Sequence, residues 1–527
     1  MWFLDKKINT SIYFGILIFS SLLLVWGNLF VTLSSYFLLS FWILEGNYKE
    51  KINRLFSSVT PIAFLMIYAV ILGWSVIQIP EKDAFKEIWQ NAPLLVYALV
   101  IGSREKLTQV QFRSVILVFL FSITVNTLFN FLQFHLFQND YTDIRSISFF
   151  MSYIRLALYT LIGITICAYY LFFSHKKHFT HKQNIILFAC LLWLIFFIFY
   201  VGSITGYIIC ITLLIISAFS YTLRQKKKQI KIISFGIIIF IFSSITVILY
   251  EEISLFTNPD TIEVAELDSV TLLDNPYQKF TKNGIIENGH WVNLYICEKE
   301  LFDSWHKYSS IPLKSYDKKK QPIKSTLIRY MTSKNLRKDA SGLKQLTKTD
   351  ISHIENGLTN YRFAHNYPLR NRIYETVWEF HNYLQGNNPA GHSVTQRFEF
   401  IKCAIEVIKK YPVWGTGPAH VVSELHMQYP RQEIHLPKQY WHKPHNQFIL
   451  YLLQYGIVGF VIIFTSSIII FYKGFQSKNT LTISWTVIVA ISCLNEDMLD
   501  TINGLVFFAF FGCLFLCSRP HSSQKLT

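Results

Sequence analysis

The sequence predicts an all-α polytopic membrane protein with about twelve transmembrane helices and one large, mainly helical loop domain between spans nine and ten. Two observations lead to this fold class. Of the 527 residues, 51% are hydrophobic and 17% are aromatic, which is too apolar for an ordinary soluble multidomain protein. Runs of about 20 apolar residues, the length that crosses a bilayer core, recur on both sides of a single long polar segment.

Twelve apolar runs are predicted to be spans, and the first two form one unbroken stretch that is divided at Gly27 and Asn28. The fourth and eleventh runs are short, so the number could differ by one or two. The predicted spans cover residues 11–27, 29–45, 59–79, 89–102, 112–134, 150–173, 184–201, 204–221, 230–250, 446–472, 481–494 and 502–518.

The basic residues are distributed unevenly between the predicted loops. With the N-terminus inside, Lys and Arg concentrate in the cytoplasmic loops, for example in RQKKKQIK at residues 224–231, whereas the short outer loops are acidic. Membrane proteins show this bias. The net charge of +16 is therefore a topology signal, with both termini cytoplasmic and the lipid bilayer, not nucleic acid, as the expected partner. The first run is not followed by a small-residue cleavage site, so we interpret it as a retained span.

This topology divides the chain into four parts. Transmembrane helices 1–9 occupy residues 1–250, a loop domain on the outer side occupies 251–444, transmembrane helices 10–12 occupy 445–518, and a cytoplasmic tail follows at 519–527. The polar segment 251–444 contains no membrane-length apolar run and is long enough to fold as a domain.

The clearest helix of the loop domain is predicted at residues 393–412, SVTQRFEFIKCAIEVIKKYP. Ser393 and Gln396 have the spacing of a capping box. Apolar residues beginning at Phe398 and Ile401 recur with helical period and predict the buried face. A turn-rich segment follows at 414–420, where Gly415 and Gly417 are expected to shape a tight turn.

A titratable side chain stands at the predicted start of span ten, in WHKPHNQFILYLLQYGIVGF at 441–460. Pro444 can occupy the first helical position, which places His445 and Asn446 in the first turn. A helix N-terminus favours anions and disfavours imidazolium. His445 is therefore expected to stay neutral and could act as a general base. The alternative is an interfacial His that only forms a hydrogen bond at a helix start.

A metal site is not expected here. His442 lies three residues before His445, but Pro444 separates them, and no carboxylate pattern was found that completes a ligand set. Further along span ten, Gly456 and Gly459 are expected to let another helix pack closely.

These residues carry a family resemblance. His445-Asn446, then nine intervening residues, then Gly456-x-x-Gly459, resembles the signature of the O-antigen ligase and O-antigen polymerase superfamily. Residues 393–420 look like the Arg-bearing helix and Gly-x-Gly turn of that family. Three further segments are similar to its branch in Bacteroidetes-type bacteria, at 152–157, 285–305 and 325–360.

The resemblance implies a GT-C-like glycosyltransferase in the bacterial inner membrane, with the large loop domain in the periplasm. Its donor would be a glycan on undecaprenyl diphosphate, and its acceptor a hydroxyl of the lipid A core or of another glycan or protein. The reaction would need no cofactor and no metal, and it would invert the anomeric centre. Such chemistry requires cations for the departing diphosphate and a base for the acceptor.

Two arginines are predicted to join His445 in catalysis. Arg397 matches the family's loop Arg and suits phosphate recognition, although an exposed surface Arg is the alternative. Arg155 lies within predicted span six, where a charge is costly and usually functional. Many relatives carry an Arg at the start of span eight, which here reads Gly-Ser-Ile-Thr-Gly at 202–206. Arg155 or the loop could supply the missing charge.

The predicted substrate-binding residues are Asn446 in span ten, Ser203 and Thr205 at the start of span eight, and Arg329, Lys334 and Arg337 in the loop domain. The last three belong to a basic stretch at 314–348, with eleven Lys and Arg against two acids. That stretch could bind phosphorylated core sugars, or it could simply be a solvated face. Relatives often have an Asp two residues after the second Gly of the turn, where this chain has Pro418-Ala419-His420, so no role for that carboxylate carries over.

Several alternatives stay open. O-antigen ligase is favoured by the placement and length of the outer loop, but O-antigen polymerase and protein O-oligosaccharyltransferase share the same donor and catalytic layout. A transporter of lipid-linked glycans is disfavoured, because no matching pair of broken helices is seen in the two halves. Cys297 and Cys403 lie in the outer loop and could pair or remain buried thiols.

Overall fold

The chain is described by a computed structural model, and it is overwhelmingly helical. The described residues are 6–78, 81–137, 144–174, 179–224, 227–259, 267–281, 284–364 and 368–520. They form the α-helices α1 Lys6–Leu23, α2 Asn28–Glu45, α3 Tyr48–Phe56, α4 Val59–Ile77, α5 Lys82–Gly102, α6 Gln109–Phe137, α7 Tyr153–Ala168, α8 His181–Val201, α9 Ile204–Arg224, α10 Lys228–Thr257, α11 Glu298–Trp305, α12 Ile323–Ser333, α13 Ala340–Lys344, α14 Lys348–Glu355, α15 Pro368–Leu384, α16 Gln396–Lys410, α17 Val421–Gln428, α18 Gln447–Gln476, α19 Thr480–Asn495 and α20 Ile502–Leu516.

The strands of the described residues are two short ones, β1 Ile286–Glu287 and β2 His290–Trp291, which pair antiparallel with Ile286 opposite Trp291. A π-helical turn at Tyr169–Phe173 continues α7.

Every predicted span falls on a helix, and the predicted all-α polytopic membrane fold is confirmed. Seven helices of the described chain are long and apolar enough to cross a membrane, and four shorter helices are also apolar. The seven are Asn28–Glu45, Val59–Ile77, Gln109–Phe137, Tyr153–Phe173, His181–Val201, Lys231–Thr257 and Gln447–Gln476. The shorter ones are Lys7–Leu23, Ile204–Phe219, Thr480–Asn495 and Ile502–Leu516. The fourth predicted span corresponds to α5, whose first turns are charged.

The chain separates into two compact units. The first unit comprises the described residues of Met1–Gln138, Asp143–Ser220 and Gln396–Thr527, and the second comprises those of Tyr221–Thr395. Residues 396–444, which the sequence assigns to the loop domain, therefore group with the membrane helices, and α10 groups with the loop. The predicted domain limits at 251 and 444 differ from these limits because α16 packs against α18 and α10 packs against α15.

The core of the first unit surrounds α20, whose side chains from Asn503 to Phe515 are all buried. Helix α20 packs against α5, α5 packs against α4, and α4 packs against α18. Aromatic side chains fill these contacts, with Phe511 of α20 lying edge-on to Phe119 of α6 at 4.9 Å. The core of the second unit is smaller and includes Trp305, Leu327 and Met331.

The helix α16 departs from its predicted start and from its predicted buried face. It begins at Gln396, so Ser393 is not its cap; the backbone N–H of Ser393 donates to Glu379 instead. The buried side chains are Glu399, Phe400, Cys403, Ala404 and Val407. Phe398, expected inside, is 39% exposed. The buried face is shifted by two residues because the helix packs against α18 and α17.

A kink in α18 positions the turn that follows α16. Gly456 has φ 58° and ψ −170°, which is not helical, so the backbone groups on either side lose their helical partners. The turn supplies them: the N–H groups of Thr416 and Gly417 donate to the carbonyls of Leu453 and Gln454 at 2.9 and 2.8 Å. In return, the N–H of Ile457 donates to the carbonyl of Pro412 at 2.9 Å.

The glycines of this junction have different functions. Gly415 and Gly417 both have positive φ, and a Cβ on Gly415 would lie 2.5 Å from the backbone of Gly456. Gly459 faces α4, where an added Cβ would lie 3.2 Å from Val70, in line with the helix packing expected of it. Gly456 instead lies against the turn at 412–417. A Cβ added to Gly456 would lie 2.2 Å from the carbonyl oxygen of Val413.

Candidate active site

His445 lies immediately before α18. The helix begins at Gln447, and Asn446 is its cap, accepting hydrogen bonds from the N–H groups of Phe448 and Ile449 through Oδ1. Pro444 is therefore not the first helical residue, and His445 and Asn446 do not lie in the first turn. The backbone of His445 is left-handed, with φ 48°.

Two acidic residues face His445 from the end of α19. Nδ1 of His445 lies 3.5 Å from Oε2 of Glu496 and 3.4 Å from Oδ1 of Asp497. These are ion-pair distances, but the angles do not give a regular hydrogen bond to Nδ1 among the described residues. Glu496 is only 2% exposed. Because a buried carboxylate is stable as an anion only when it is paired, Glu496 needs the cations around it.

Arg397 is one of those cations. It is the second residue of α16, and its Nη2 donates to Oε1 of Glu496 at 2.6 Å. Its Nη1 donates to the backbone carbonyl of Asn495 at 2.6 Å. The planar fork of the guanidinium therefore holds two successive residues at the C-terminal end of α19, and it turns Arg397 towards the acidic pair and not towards solvent.

Arg155 approaches the same acidic pair from α7. It is 5% exposed, and its guanidinium lies 3.8 Å from Glu496 and 3.6 Å from Asp497. Nε donates to Thr501 Oγ1 at 3.0 Å, and Nη2 donates to the Asp497 carbonyl at 3.2 Å. The three residues predicted to be catalytic thus meet at one place, around two carboxylates that the sequence reasoning did not single out.

The start of α9 contacts the site indirectly, through Asn495. Thr205 Oγ1 accepts a 2.6 Å hydrogen bond from the amide of Asn495, whose backbone carbonyl is held by Arg397. Ser203 is buried, and its hydroxyl oxygen accepts from the N–H of Gly206 at the first turn of α9. Both side chains help to place the start of α9, and their predicted substrate contacts stay predictions.

Lys443 and Asp500 brace the segment that carries the acidic pair. Lys443 Nζ donates to both Asp500 oxygens, at 3.0 and 2.8 Å. Gln447 accepts from the N–H of Leu499 at 2.6 Å. Asn446 donates through Nδ2 to the carbonyl of Leu494 at 2.8 Å. Both polar atoms of the Asn446 side chain are thus used within the chain, and the predicted substrate contact of Asn446 stays a prediction.

The expectation of a neutral His445 is wrong. Burial opposes the charged imidazolium, but the carboxylates of Asp497 and Glu496 outweigh it and raise the pKa of His445 to about 9. A helix N-terminus changes such energies by only about 0.3–1 kcal/mol at an exposed site, and two carboxylates within 3.5 Å exceed that. Although burial acts in the opposite direction, His445 and the neighbouring cations lower the pKa values of Glu496 and Asp497.

The same carboxylates raise the question of a metal. His445, Glu496 and Asp497 each offer a ligand atom, and these atoms lie within 4.8 Å of one another. However, the guanidinium groups of Arg155 and Arg397 already contact the carboxylates and would repel a divalent cation. Three positive side chains surround two negative ones, so the cluster carries a net charge of about +1 at neutral pH, which favours an anion.

The predicted basic residues of the loop lie in the second unit, and each pairs with an acid. Arg329 contacts the fully buried Glu287 and stacks on Trp378. Lys334 pairs with Asp350 at 2.8 Å, and Arg337 pairs with Asp268. Cys297 and Cys403 are both buried free thiols.

Glu496 and Asp497 are the members of this cluster that the sequence did not lead us to expect. A signal was present: residues 496–500 read EDMLD, three acids in a short loop on the membrane face predicted for His445 and Arg397. In the sequence alone, these acids contribute only to the charge bias between the loops.

Comparison with known families agrees with the resemblance. Residues 350–464 match the family model described as O-Antigen ligase. This range contains Arg397 and His445 and ends before the acidic pair. The match supports a glycosyltransferase activity of the O-antigen ligase or polymerase type in general, in a multi-pass membrane protein, with a lipid-linked glycan donor and a glycan acceptor. No curated protein matches the chain.

Proposed function

Because the match over residues 350–464 supports membership of this chain in the O-antigen ligase superfamily, we propose that it transfers a glycan from undecaprenyl diphosphate to a hydroxyl of the lipid A core at the periplasmic face of the bacterial inner membrane. One observation carries this proposal: Arg155, Arg397 and His445 converge on Glu496 and Asp497.

The charge of this cluster suits a departing diphosphate. Guanidinium groups pair with phosphate oxygens through parallel hydrogen bonds, and each arginine here uses only part of its donor set on the carboxylates. A diphosphate would therefore bind the remaining N–H groups while Glu496 and Asp497 keep the arginines in place. Fixed cations aimed at developing negative charge lower the barrier without having to reorganise.

The roles of the imidazole and of the carboxylates follow from their protonation. His445 holds its proton at neutral pH, so we assign it to hydrogen bonding of the leaving diphosphate and replace the general-base role that was predicted for it. Asp497, less buried than Glu496, is the proposed base. Glu496, which contacts Arg397, Arg155 and His445, is a positioning residue.

The reaction is a single displacement. The acceptor oxygen forms its bond to the anomeric carbon while the bond from that carbon to the diphosphate oxygen breaks, and the diphosphate leaves with the electron pair. The acceptor proton passes to Asp497. A weakly basic carboxylate suffices because the hydroxyl becomes strongly acidic once its oxygen has begun to bond to carbon. One displacement inverts the anomeric configuration, and the arginine fork replaces a metal.

Deletion of the gene tests the acceptor. With lipid A core as the acceptor, long-chain lipopolysaccharide is lost from gels while lipid-linked polymer accumulates in the membrane. Loss of the polymer itself would identify an O-antigen polymerase. Unchanged lipopolysaccharide with under-glycosylated proteins would identify a protein O-oligosaccharyltransferase. Complementation with His445→Ala separates an enzyme from a transporter, since transport does not require the imidazolium.

A further inference from the structure

The second unit contains a large polar cleft that the proposed chemistry does not use. Five segments form it: the C-terminal end of α10, the β1–β2 turn, the end of α12, the 3-10 turn at Tyr361–Ala364 and the start of α15. Its volume is about 960 Å³, near the upper end of the range for ligand pockets, about 300–1,000 Å³. Most of the lining residues carry polar or charged side chains, with Leu255 the one aliphatic side chain among them, so the cleft is rich in hydrogen-bonding groups.

The walls of this loop-domain cleft are fixed by buried polar contacts. Arg362 donates to both oxygens of Glu252, at 2.9 and 2.7 Å, and Glu252 is fully buried. Asn288 donates to the carbonyl of Ser333 at 2.9 Å and accepts from the buried Asn360 at 3.0 Å. Since these contacts lock the lining side chains before any ligand arrives, little entropy is lost on binding.

The charges of the cleft cancel. Three cations line it, namely Lys334, Arg362 and Arg370. Lys334 pairs with Asp350, while Arg362 and Arg370 share Glu252, and Arg370 also pairs with Glu251. Three positive groups therefore meet three negative ones. A site built for phosphate would keep an excess of positive charge, whereas this one offers many hydrogen-bond donors and acceptors without net charge.

The remaining lining groups suit hydroxyl groups. Asn335 and Asn371 add amide side chains to the lining, and an amide can both donate and accept hydrogen bonds. Asn288 and Asn335 have left-handed backbones, φ 51° and 55°, which place them at turns on the rim. A sugar ring carries hydroxyls that both donate and accept, so it can satisfy amides and balanced ion pairs without changing their charge.

The cleft also lies at the end of a membrane helix. Residues 231–257 of α10 form a candidate membrane span, and none of the side chains of residues 231–251 is buried, which suits contact with lipid. Glu251 and Ser254 near its end line the cleft. We propose that the loop-domain cleft binds an uncharged, hydroxyl-rich stretch of a membrane-linked glycan. This inference rests on the proposed glycan transfer and names a second glycan site for it.

Direct binding tests this without turnover. The full-length protein in nanodiscs is titrated by calorimetry with three soluble probes: dephosphorylated core oligosaccharide, the same oligosaccharide with its phosphates, and lipid-free O-antigen repeat oligosaccharide. One uncharged probe is expected to bind with an affinity that changes less than twofold between 50 and 500 mM NaCl, because no net charge is screened. Binding of the dephosphorylated core identifies the acceptor sugars as the source, and binding of the repeat identifies the donor glycan.

Two variants locate the binding. Asn371 lies on α15 and lines the cleft; Asn371→Ala removes its amide, and Asn371→Trp fills the space. Each is expected to weaken binding at least fivefold. The control Gln385→Ala removes an amide from an exposed position just after α15 and should bind as the wild type does.

Four results would overturn the proposal: no uncharged glycan binds, binding requires the phosphates, both Asn371 variants bind normally, or a hydrophilic peptide binds in place of the glycans. Transfer from a polyprenyl diphosphate donor is measured separately in the same nanodiscs. Absence of transfer with glycan binding intact would reject the proposed function and leave the cleft assignment standing. Transfer without glycan binding would reject the cleft assignment and leave the proposed function standing.

Discussion

Arg397 and Glu496 form an ion pair of 2.6 Å between the first turn of α16 and the segment that follows α19. The other oxygen of Glu496 faces His445 and Arg155. One buried carboxylate thus holds all three cations of the site. Its removal would leave them to repel one another, because breaking a buried pair leaves uncompensated charge.

The first prediction concerns Glu496→Gln, which keeps the shape of the side chain and removes its charge. We expect glycan transfer to fall at least tenfold, since Arg397 and His445 lose their common partner. We also expect the pKa of His445 to fall, because a raising carboxylate is gone, so the alkaline limb of the pH–rate profile should move to lower pH. A purely structural role for Glu496 would lower activity without moving that limb. Glu406→Gln, on the exposed side of α16, serves as the control.

The second prediction concerns Arg397→Lys. The guanidinium uses two nitrogens at once, Nη1 on Asn495 and Nη2 on Glu496, and a single ammonium cannot span both. One hydrogen bond to a charged group contributes about 1.5–3 kcal/mol, so we expect roughly a 10- to 150-fold loss of transfer. Kinetics of the purified variant with lipid-linked donor would measure it. Near-normal activity, equal to that of the exposed control Arg431→Lys, would remove Arg397 from the site.

The third prediction is a pH dependence. The pKa of His445 is raised from 6.5 to about 9, so its proton stabilises the folded protein fully below about 6.5, and this contribution is lost as pH rises through about 9. Transfer should likewise decline through about pH 9 if the imidazolium holds the diphosphate. Activity that instead increases through this range would restore His445 as the general base. His445→Gln should remove the alkaline limb, whereas the exposed His306→Gln should keep it.

The fourth prediction concerns chelation. The guanidinium groups of Arg155 and Arg397 contact the carboxylates that a divalent ion would need. We therefore expect transfer in excess EDTA to equal transfer in Mg²⁺ within a factor of two. Loss of activity in EDTA that returns with a divalent metal would show that His445, Glu496 and Asp497 form a metal site after all.

The membrane fold was predictable because span length and charge bias are set by the bilayer, which imposes the same rule on every helix. The two arginines of the cluster were predictable for a related reason: a charge within a span, as at Arg155, or an Arg in the first turn of a helix, as at Arg397, opposes local energetics and needs an explanation. The motif around His445 carried the resemblance to the O-antigen ligase and O-antigen polymerase superfamily.

The predictions that were wrong, the charge of His445 and the buried face of α16, depended on tertiary contacts. The charge of His445 is decided by residues 51 and 52 positions away, Glu496 and Asp497, and no local rule brings them together. The face of α16 was misassigned because residues outside the helix decide which side is covered. Phe400 packs against Tyr429 and His445. Cys403 lies against the Leu425 carbonyl of α17, and Phe398 is exposed. Helical period gives the spacing of a buried face but not which neighbour covers it.

The last prediction concerns Gly456→Ala in the kink of α18. At φ 58° and ψ −170° the backbone is in a region that is essentially restricted to glycine, at a cost of about 1–3 kcal/mol for other residues. The new Cβ would also lie 2.2 Å from the Val413 carbonyl. The turn at 412–417 would be pushed off α18, leaving the carbonyls of Leu453 and Gln454 without partners. We expect a lower midpoint of thermal unfolding in detergent and reduced transfer. Gly73→Ala in α4, where an added Cβ meets nothing within 4 Å, should unfold at the wild-type temperature or above it; equal midpoints for the two variants would show that the kink does not depend on glycine.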